Sequence, residues 1–301
     1  MFTVKPNDAV LGATIEGLDA SQPIDATVFS KLLVQLGRYG VLRFPNQNLS
    51  DDQLRLFSER FGDIQSSVSQ AKTEAPEVGI LSNIKEGGAY IGAPDAGQSW
   101  HTDMSYRDVV GFVNVLFAVV IPWRDGQPLG GTEFSNMRLA YEDLPAEIQT
   151  RLADATATHD FNKFWEMMRH EKGSARPALT EEQRLRRPPS VHPVFMTHPI
   201  TGKKTLYCNP GFAIRINELP QAESDDMLRF LFAHQLQPKY RWTHRWTEND
   251  LLVWDNLGTV HQAIADYRPD EIRLMRRCQV MATKIFDPEF LRPVRAIQAA
   301  A

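Results

Sequence analysis

Trp100-His101-Thr102-Asp103 puts an imidazole and a carboxylate two residues apart. In an extended strand, residues i and i+2 point to one face, so the pattern predicts that His101 and Asp103 aim at a common point. One imidazole and one carboxylate are two thirds of a facial triad, the ligand set that leaves three positions of an iron(II) ion open. A chain with eight histidines produces His-x-Asp by chance, so the tripeptide alone decides nothing. A second histidine in a fitting setting changes that. Val253-Trp254-Asp255-Asn256 reads as the end of a buried strand, and His261 follows a short turn that contains Gly258. His261 is therefore the expected third ligand. His159, His170 and His244 sit among charged or polar residues, His192 and His198 flank an apolar stretch at 193–196, and His234 falls on a predicted helix. A metal-dependent hydrolase, the remoter alternative, would need fewer open positions and usually more histidine ligands.

Working outward, Arg273-Leu274-Met275-Arg276-Arg277 opens an apolar strand shortly after His261. Alternation places Arg273, Met275 and Arg277 on one face and Arg276 on the other. Two arginines on an inward face require anionic partners, because a buried charge is costly unless paired. A guanidinium suits a carboxylate in a two-pronged pairing. Four residues of strand span roughly 13 Å, so the two arginines could hold two anions on either side of one metal. Tyr90, Met104, Tyr106, Phe161 and Trp165 are candidates to line an organic pocket, although ordinary packing explains each of them as well.

The rest of the chain supplies a β framework with helices around it. Val28, Leu32 and Leu36, with Phe29 and Leu33 beside them, form one apolar helical face that Gly40 ends. Ser50-Asp51-Asp52-Gln53 has the pattern of a capping box, and Leu54, Phe57 and Phe61 continue a helix to Gly62. The apolar run 113–123 reads as a buried strand, broken by Asn114 and Pro122. One helix is expected near Leu144, Ile148 and Leu152, and another after Pro220. Residues 170–189 are charged, hold three prolines and read as a long surface loop; within 160–190 a lid and a solvated insertion are both open. Strands before and after the middle helices predict a sandwich or barrel within a single domain spanning 1–301.

Composition excludes several classes. The 43% hydrophobic and 23% charged content is that of a globular chain able to bury a core. A net charge of -4 gives no reason to expect a nucleic-acid partner, while a few local arginines can still receive an anion. Two cysteines, Cys208 and Cys278, make no disulfide framework and fit a reducing compartment. The N-terminal residues lack a signal-peptide pattern and no apolar run is long enough for a bilayer. The expectation is a cytoplasmic protein with no membrane partner; a homo-oligomer is compatible with it.

These residues together resemble the taurine dioxygenase and dichlorophenoxyacetate dioxygenase family of 2-oxoglutarate-dependent oxygenases. The resemblance runs from Val10-Leu11-Gly12-Ala13-Thr14-Ile15-Glu16-Gly17 through Phe61-Gly62, Trp100-His101-Thr102-Asp103 and Gly130-Gly131-Thr132-Glu133-Phe134. It continues through Leu206-Tyr207, Val253-Trp254-Asp255-Asn256 and His261 to the arginine strand. It implies a mainly β fold, a double-stranded β-helix or jelly roll, with helices outside. It implies Fe(II) held by His101, Asp103 and His261, with 2-oxoglutarate and O2 as co-substrates. Thr132 and Arg273 fall where the family binds the distal carboxylate of 2-oxoglutarate, and Arg277 where it contacts an anionic group of the substrate. The implied substrate is a small molecule carrying a carboxylate, sulfonate or sulfate.

Two departures shape the expectation. The interval from His261 to Arg273 is one residue longer than is common in the family. His101 is the first histidine of the chain, so the upstream histidine that grips a sulfonate in taurine dioxygenases is absent. Lys72 lies in that region and could serve a carboxylate, and Met104 and Tyr106 follow the iron motif directly. The competing reading is a non-catalytic jelly-roll binding protein. It leaves unexplained why His101, Asp103, His261, Thr132 and Arg273 all persist together.

Overall fold

The computed structural model describes residues 2–65 and 76–300. A seven-stranded sheet forms its backbone. In spatial order the strands are Thr3–Pro6, Ala13–Glu16, Val41–Phe44, Leu251–Asp255, Gly111–Val120, Leu274–Met281 and Gly79–Ser82. Only the Ala13–Glu16 and Val41–Phe44 pair runs parallel; the others are antiparallel. A second, three-stranded sheet joins Arg241–His244, Thr132–Asn136 and Thr259–Ala263.

Alternation along the central strands sorts side chains to two cores. Val113, Val115, Phe117, Leu251, Val253, Cys278 and Val280 face the helices. There Phe29, Leu32, Leu33 and Leu36 of the helix Ala26–Tyr39 and Leu54 and Phe57 of Asp51–Glu59 cover them. Leu116, Ala118, Leu252, Trp254 and Met275 face the other way and meet Phe134 of the second sheet and Trp246, just beyond its strand Arg241–His244. The candidate site lies on that second face.

The expected helix signals hold. Gly40 ends its helix at φ 71°, returning its N–H to the Leu36 carbonyl at 2.7 Å, a conformation in which glycine carries no Cβ penalty. Ser50 and Gln53 form both halves of the capping box, although that helix stops at Glu59, before Gly62. Two expectations need correction. The segment near Leu144 is two short helices, Met137–Glu142 and Ala146–Arg151, because Pro145 lacks the N–H that would continue the first. The charged stretch 170–189 is not all loop: Thr180 caps a helix at Glu181–Leu185, and the preceding helix Phe161–His170 extends into it. Among the described residues, no helix is long and apolar enough to cross a membrane.

Candidate active site

His101 and Asp103 do converge, but not on a regular strand. His101 forms a single antiparallel bridge with His261: each backbone N–H donates to the other residue's carbonyl, at 3.0 and 2.9 Å. Residues paired this way present their side chains to one face, and the two imidazole centroids lie 4.3 Å apart. Asp103 opens the turn that follows, in which Met104 has φ 60°. One ligating atom from each of His101, Asp103 and His261 lies within 4.8 Å of the others. All three residues are buried.

Neighbours fix how these groups point. The His101 Nδ1 lies 2.7 Å from the Ser99 carbonyl. A carbonyl only accepts, so Nδ1 carries the proton and Nε2 keeps its lone pair. Nε2 stands 3.4 Å from Asp103 Oδ1, and the His261 Nε2 is 3.8 Å from Asp103 Oδ2. Asn114 donates its amide to Asp103 Oδ2 at 2.8 Å, and Thr102 ties the segment to the Thr259 carbonyl. Burial alone would raise the Asp103 carboxyl, but its contacts with His101, Arg277 and His261 outweigh it and hold it far below the usual range. Burial keeps His261 neutral by lowering it well below the ordinary imidazole value. Two imidazoles and a carboxylate make a donor set that fits a divalent transition metal. Burial does not single these histidines out, because His159 and His244, expected in polar surroundings, are also buried, on strands. Convergence does.

Thr132, paired opposite Ala263, lies on the same face as Phe134, which pairs opposite His261. Its hydroxyl accepts from the Trp246 indole N–H at 3.0 Å, which leaves its own hydrogen available to donate. Arg273 is only 6% exposed. Its Nη2 donates to the Gly130 carbonyl at 3.3 Å and its guanidinium lies 5.9 Å from the Tyr267 ring centre. Its Nε has no partner among the described residues, and burial lowers its pKa. A Cβ on Gly130, whose φ is 69°, would stand 2.8 Å from that Nε, so glycine is required for the loop to lie against the arginine. A buried, under-satisfied guanidinium has the chemistry to receive a carboxylate.

Arg277 projects from the same face of its strand as Met275, and Arg276 points oppositely to pair with Asp51 at 2.9 Å. Arg277 Nη1 is 3.7 Å from Asp103 Oδ2 and lines a cavity of about 420 Å³ that also touches His101 and Asp103. Tyr106, Phe161, Phe164 and Phe212 form an aromatic wall of this cavity. Burial, reinforced by Asp103, pushes the Tyr106 hydroxyl up to about 12. Tyr90 and Trp165 also reach the cavity. Met104 does not line it; it is buried, with its sulfur 3.3 Å from the Tyr106 hydroxyl. Lys72 lies outside the described residues. Asn114 and Ser99 were not singled out from sequence. The polar break that Asn114 makes in an apolar strand was its visible signal.

The comparisons agree with this geometry. The family described as taurine catabolism dioxygenase TauD, TfdA matches residues 3–279. The chain is 33% identical to pentalenolactone F synthase of Streptomyces avermitilis over 89% of this chain and 90% of the relative. It is 30% identical to the alpha-ketoglutarate-dependent 2,4-dichlorophenoxyacetate dioxygenase of Cupriavidus pinatubonensis over 85% and 90%, respectively. It is also similar to the crystal structure of AAD-2 in complex with Mn(II) and N-oxalylglycine, with a TM-score of 0.75, 26% identity, and 94% and 98% of the two chains covered.

Proposed function

The chain belongs to the taurine catabolism dioxygenase TauD, TfdA family and is a 2-oxoglutarate-dependent non-haem iron dioxygenase, and from that premise we propose that it hydroxylates a small anionic organic molecule within a single double-stranded β-helix domain. His101, Asp103 and His261 hold the iron. Thr132 and Arg273 bind the distal carboxylate of 2-oxoglutarate, and Arg277 receives the anionic group of the substrate. Bound iron(II) supplies the means by which dioxygen oxidises 2-oxoglutarate to succinate and carbon dioxide and delivers one oxygen atom to a substrate C–H bond.

The chain's own residues bind, orient and keep water out. Ser99 and Asn114 hold His101 and Asp103 in place. The neutral state of His261 keeps its lone pair available at neutral pH. The aromatic wall excludes water from the cavity. The observation that carries the anionic reading is the charge count around that cavity. Among the described residues its two carboxylates are committed, Asp103 to the histidines and Asp95 to Arg176 and Ser174. Among the described residues, the one carboxylate that Arg277 meets is Asp103, at 3.7 Å, which the histidines share. The missing upstream histidine turns the reading away from taurine. The two-sheet architecture, with Phe134, Trp246, Trp254 and Met275 packed between the sheets, supports the jelly roll.

The test is a panel of carboxylates, sulfonates, sulfate esters and aryloxyacetates assayed for substrate-dependent succinate. The expected result is stimulation by one anionic class. Efficient turnover of a neutral compound that Arg277→Gln leaves intact would refute the anionic assignment.

A further inference from the structure

The outer wall of the cavity comes from two segments far apart in sequence, residues 90–97 and 161–176. Two polar contacts close one onto the other, and a third braces them from within the second segment. Arg176 Nη2 donates to Asp95 Oδ1 at 2.7 Å. Its Nε donates to the Ser174 hydroxyl at 2.8 Å. Ser174 in turn donates to Asp95 Oδ2. The Arg176 guanidinium also lies over the Trp165 ring, 4.6 Å from its centre, and the Trp165 indole N–H is held by the Pro177 carbonyl at 2.7 Å. Trp165 is thus pinned by its edge and covered on one face while it lines the cavity.

An isolated surface ion pair would mean little. Here Arg176 and Asp95 are 18% and 26% exposed, and the carboxylate is met on both oxygens. The planar guanidinium donates in two directions and stacks in a third, a combination lysine cannot reproduce. Arg176 is a poor candidate for the substrate's anion. Asp95 neutralises it, and two of its three nitrogens and one face are engaged.

We propose that Arg176 is a positioning residue: clasped to Asp95, it holds Trp165 in the cavity wall and so sets the shape of organic body the site accepts. The clasp itself stands on its own contacts. Its effect on specificity rests on the reading of this cavity as the substrate site.

The clasp is tested without metal or substrate. Acrylamide quenching of Trp165 is taken as the difference between each protein and its Trp165→Phe counterpart. Arg176→Gln and Asp95→Asn should each raise the Trp165 quenching constant by about 3-fold, and the double variant should go no further, because one coupled interaction is lost only once. Arg176→Lys should behave like Arg176→Gln. Either single variant with wild-type protection, or effects that multiply in the double variant, would overturn the clasp. For the acid that the panel identifies, both single variants should raise its KM by the same factor and leave the 2-oxoglutarate KM unchanged. A raised KM in Arg176→Gln alone would mean that Arg176 binds substrate directly, and would overturn the positioning role. If the panel yields no substrate while the quenching results hold, the functional reading fails and the clasp stands.

Discussion

The floor and the roof of the cavity are built by different means. On the floor, His101 and His261 are neighbours because their main chains pair, and Asp103 follows through a turn tied to Thr259 and Asn114. On the roof, Asp95 and Arg176 meet only through side chains, 81 residues apart. Main-chain pairing fixes the position of Cβ whatever side chain is attached, whereas a side-chain clasp is remade by substituting one residue. On the proposed reading of the cavity, the difference teaches that the reaction and the choice of substrate are separable. The floor can carry the same chemistry under a changed roof.

The largest effect that could break this comparison lies on the floor. His101→Ala, Asp103→Ala or His261→Ala should each abolish iron binding and coupled succinate formation while the far-UV circular dichroism stays native. Iron content after reconstitution checks it. A His261→Ala protein with wild-type coupled turnover would remove the triad altogether. His198 could not then take over as it stands, because its Nε2 is committed to Asp255 at 2.8 Å.

The arginines come next, because the proposal assigns one to the co-substrate and the other to the substrate. Arg273→Ala strips a charge-assisted pair from a mostly dry site, a loss of roughly 2–5 kcal/mol or about 30-fold or more in 2-oxoglutarate affinity. Without 2-oxoglutarate the same variant should be no less stable than wild type, since it removes a buried charge that lacks a full set of partners. Isothermal titration and denaturant unfolding measure the two halves. Arg277→Gln should do the converse: it impairs oxidation of the anionic substrate and spares iron binding and uncoupled 2-oxoglutarate decay. A strong 2-oxoglutarate defect in Arg277→Gln with none in Arg273→Ala would reverse the two assignments.

Acid should weaken the fold behind the floor. His159 is fully buried, and desolvation, with a smaller push from His192, lowers it to about 3. The unfolded chain takes up a proton near the ordinary histidine value of about 6.5, and the folded chain does not. The neutral imidazole's contribution is therefore complete above the unfolded pKa. It is lost as pH falls towards the folded one, at about 1.4 kcal/mol per pH unit. Urea unfolding between pH 6 and 4.5 should show this slope, and His159→Asn should flatten it by that amount. An unchanged slope in the variant would show that His159 is not the group responsible.

How much of this was legible in the sequence follows from the same distinction. The triad was readable because His-x-Asp is local and His261 sits beside a buried strand. The reason it works was not, since the pairing of His101 with His261 joins residues 160 positions apart, and the 100–103 segment is a bridge and turn where a strand was expected. The face of Arg273 and Arg277 was readable from period-two alternation, which survives the register shift beside Leu274. The roof was not readable. Asp95, Ser174 and Arg176 are polar residues in irregular segments, and such residues have the same sequence signature whether they face solvent or clasp one another.

The smallest expected effect probes where floor and co-substrate pocket meet. Thr132 accepts from Trp246 and keeps one hydrogen to give. Thr132→Ser retains both functions and should bind 2-oxoglutarate almost as wild type does. Thr132→Val loses the donated hydrogen bond, about 1 kcal/mol or roughly 5-fold in affinity. It also leaves the buried Trp246 N–H without an acceptor, which costs stability on the order of 1–3 kcal/mol. Trp246→Phe separates the two terms. In the Thr132→Val background it should relieve the stability loss, having removed the orphaned donor, while the affinity loss remains. If Trp246→Phe also restored 2-oxoglutarate binding, Thr132 would be acting through the packing of Trp246 and not on the co-substrate.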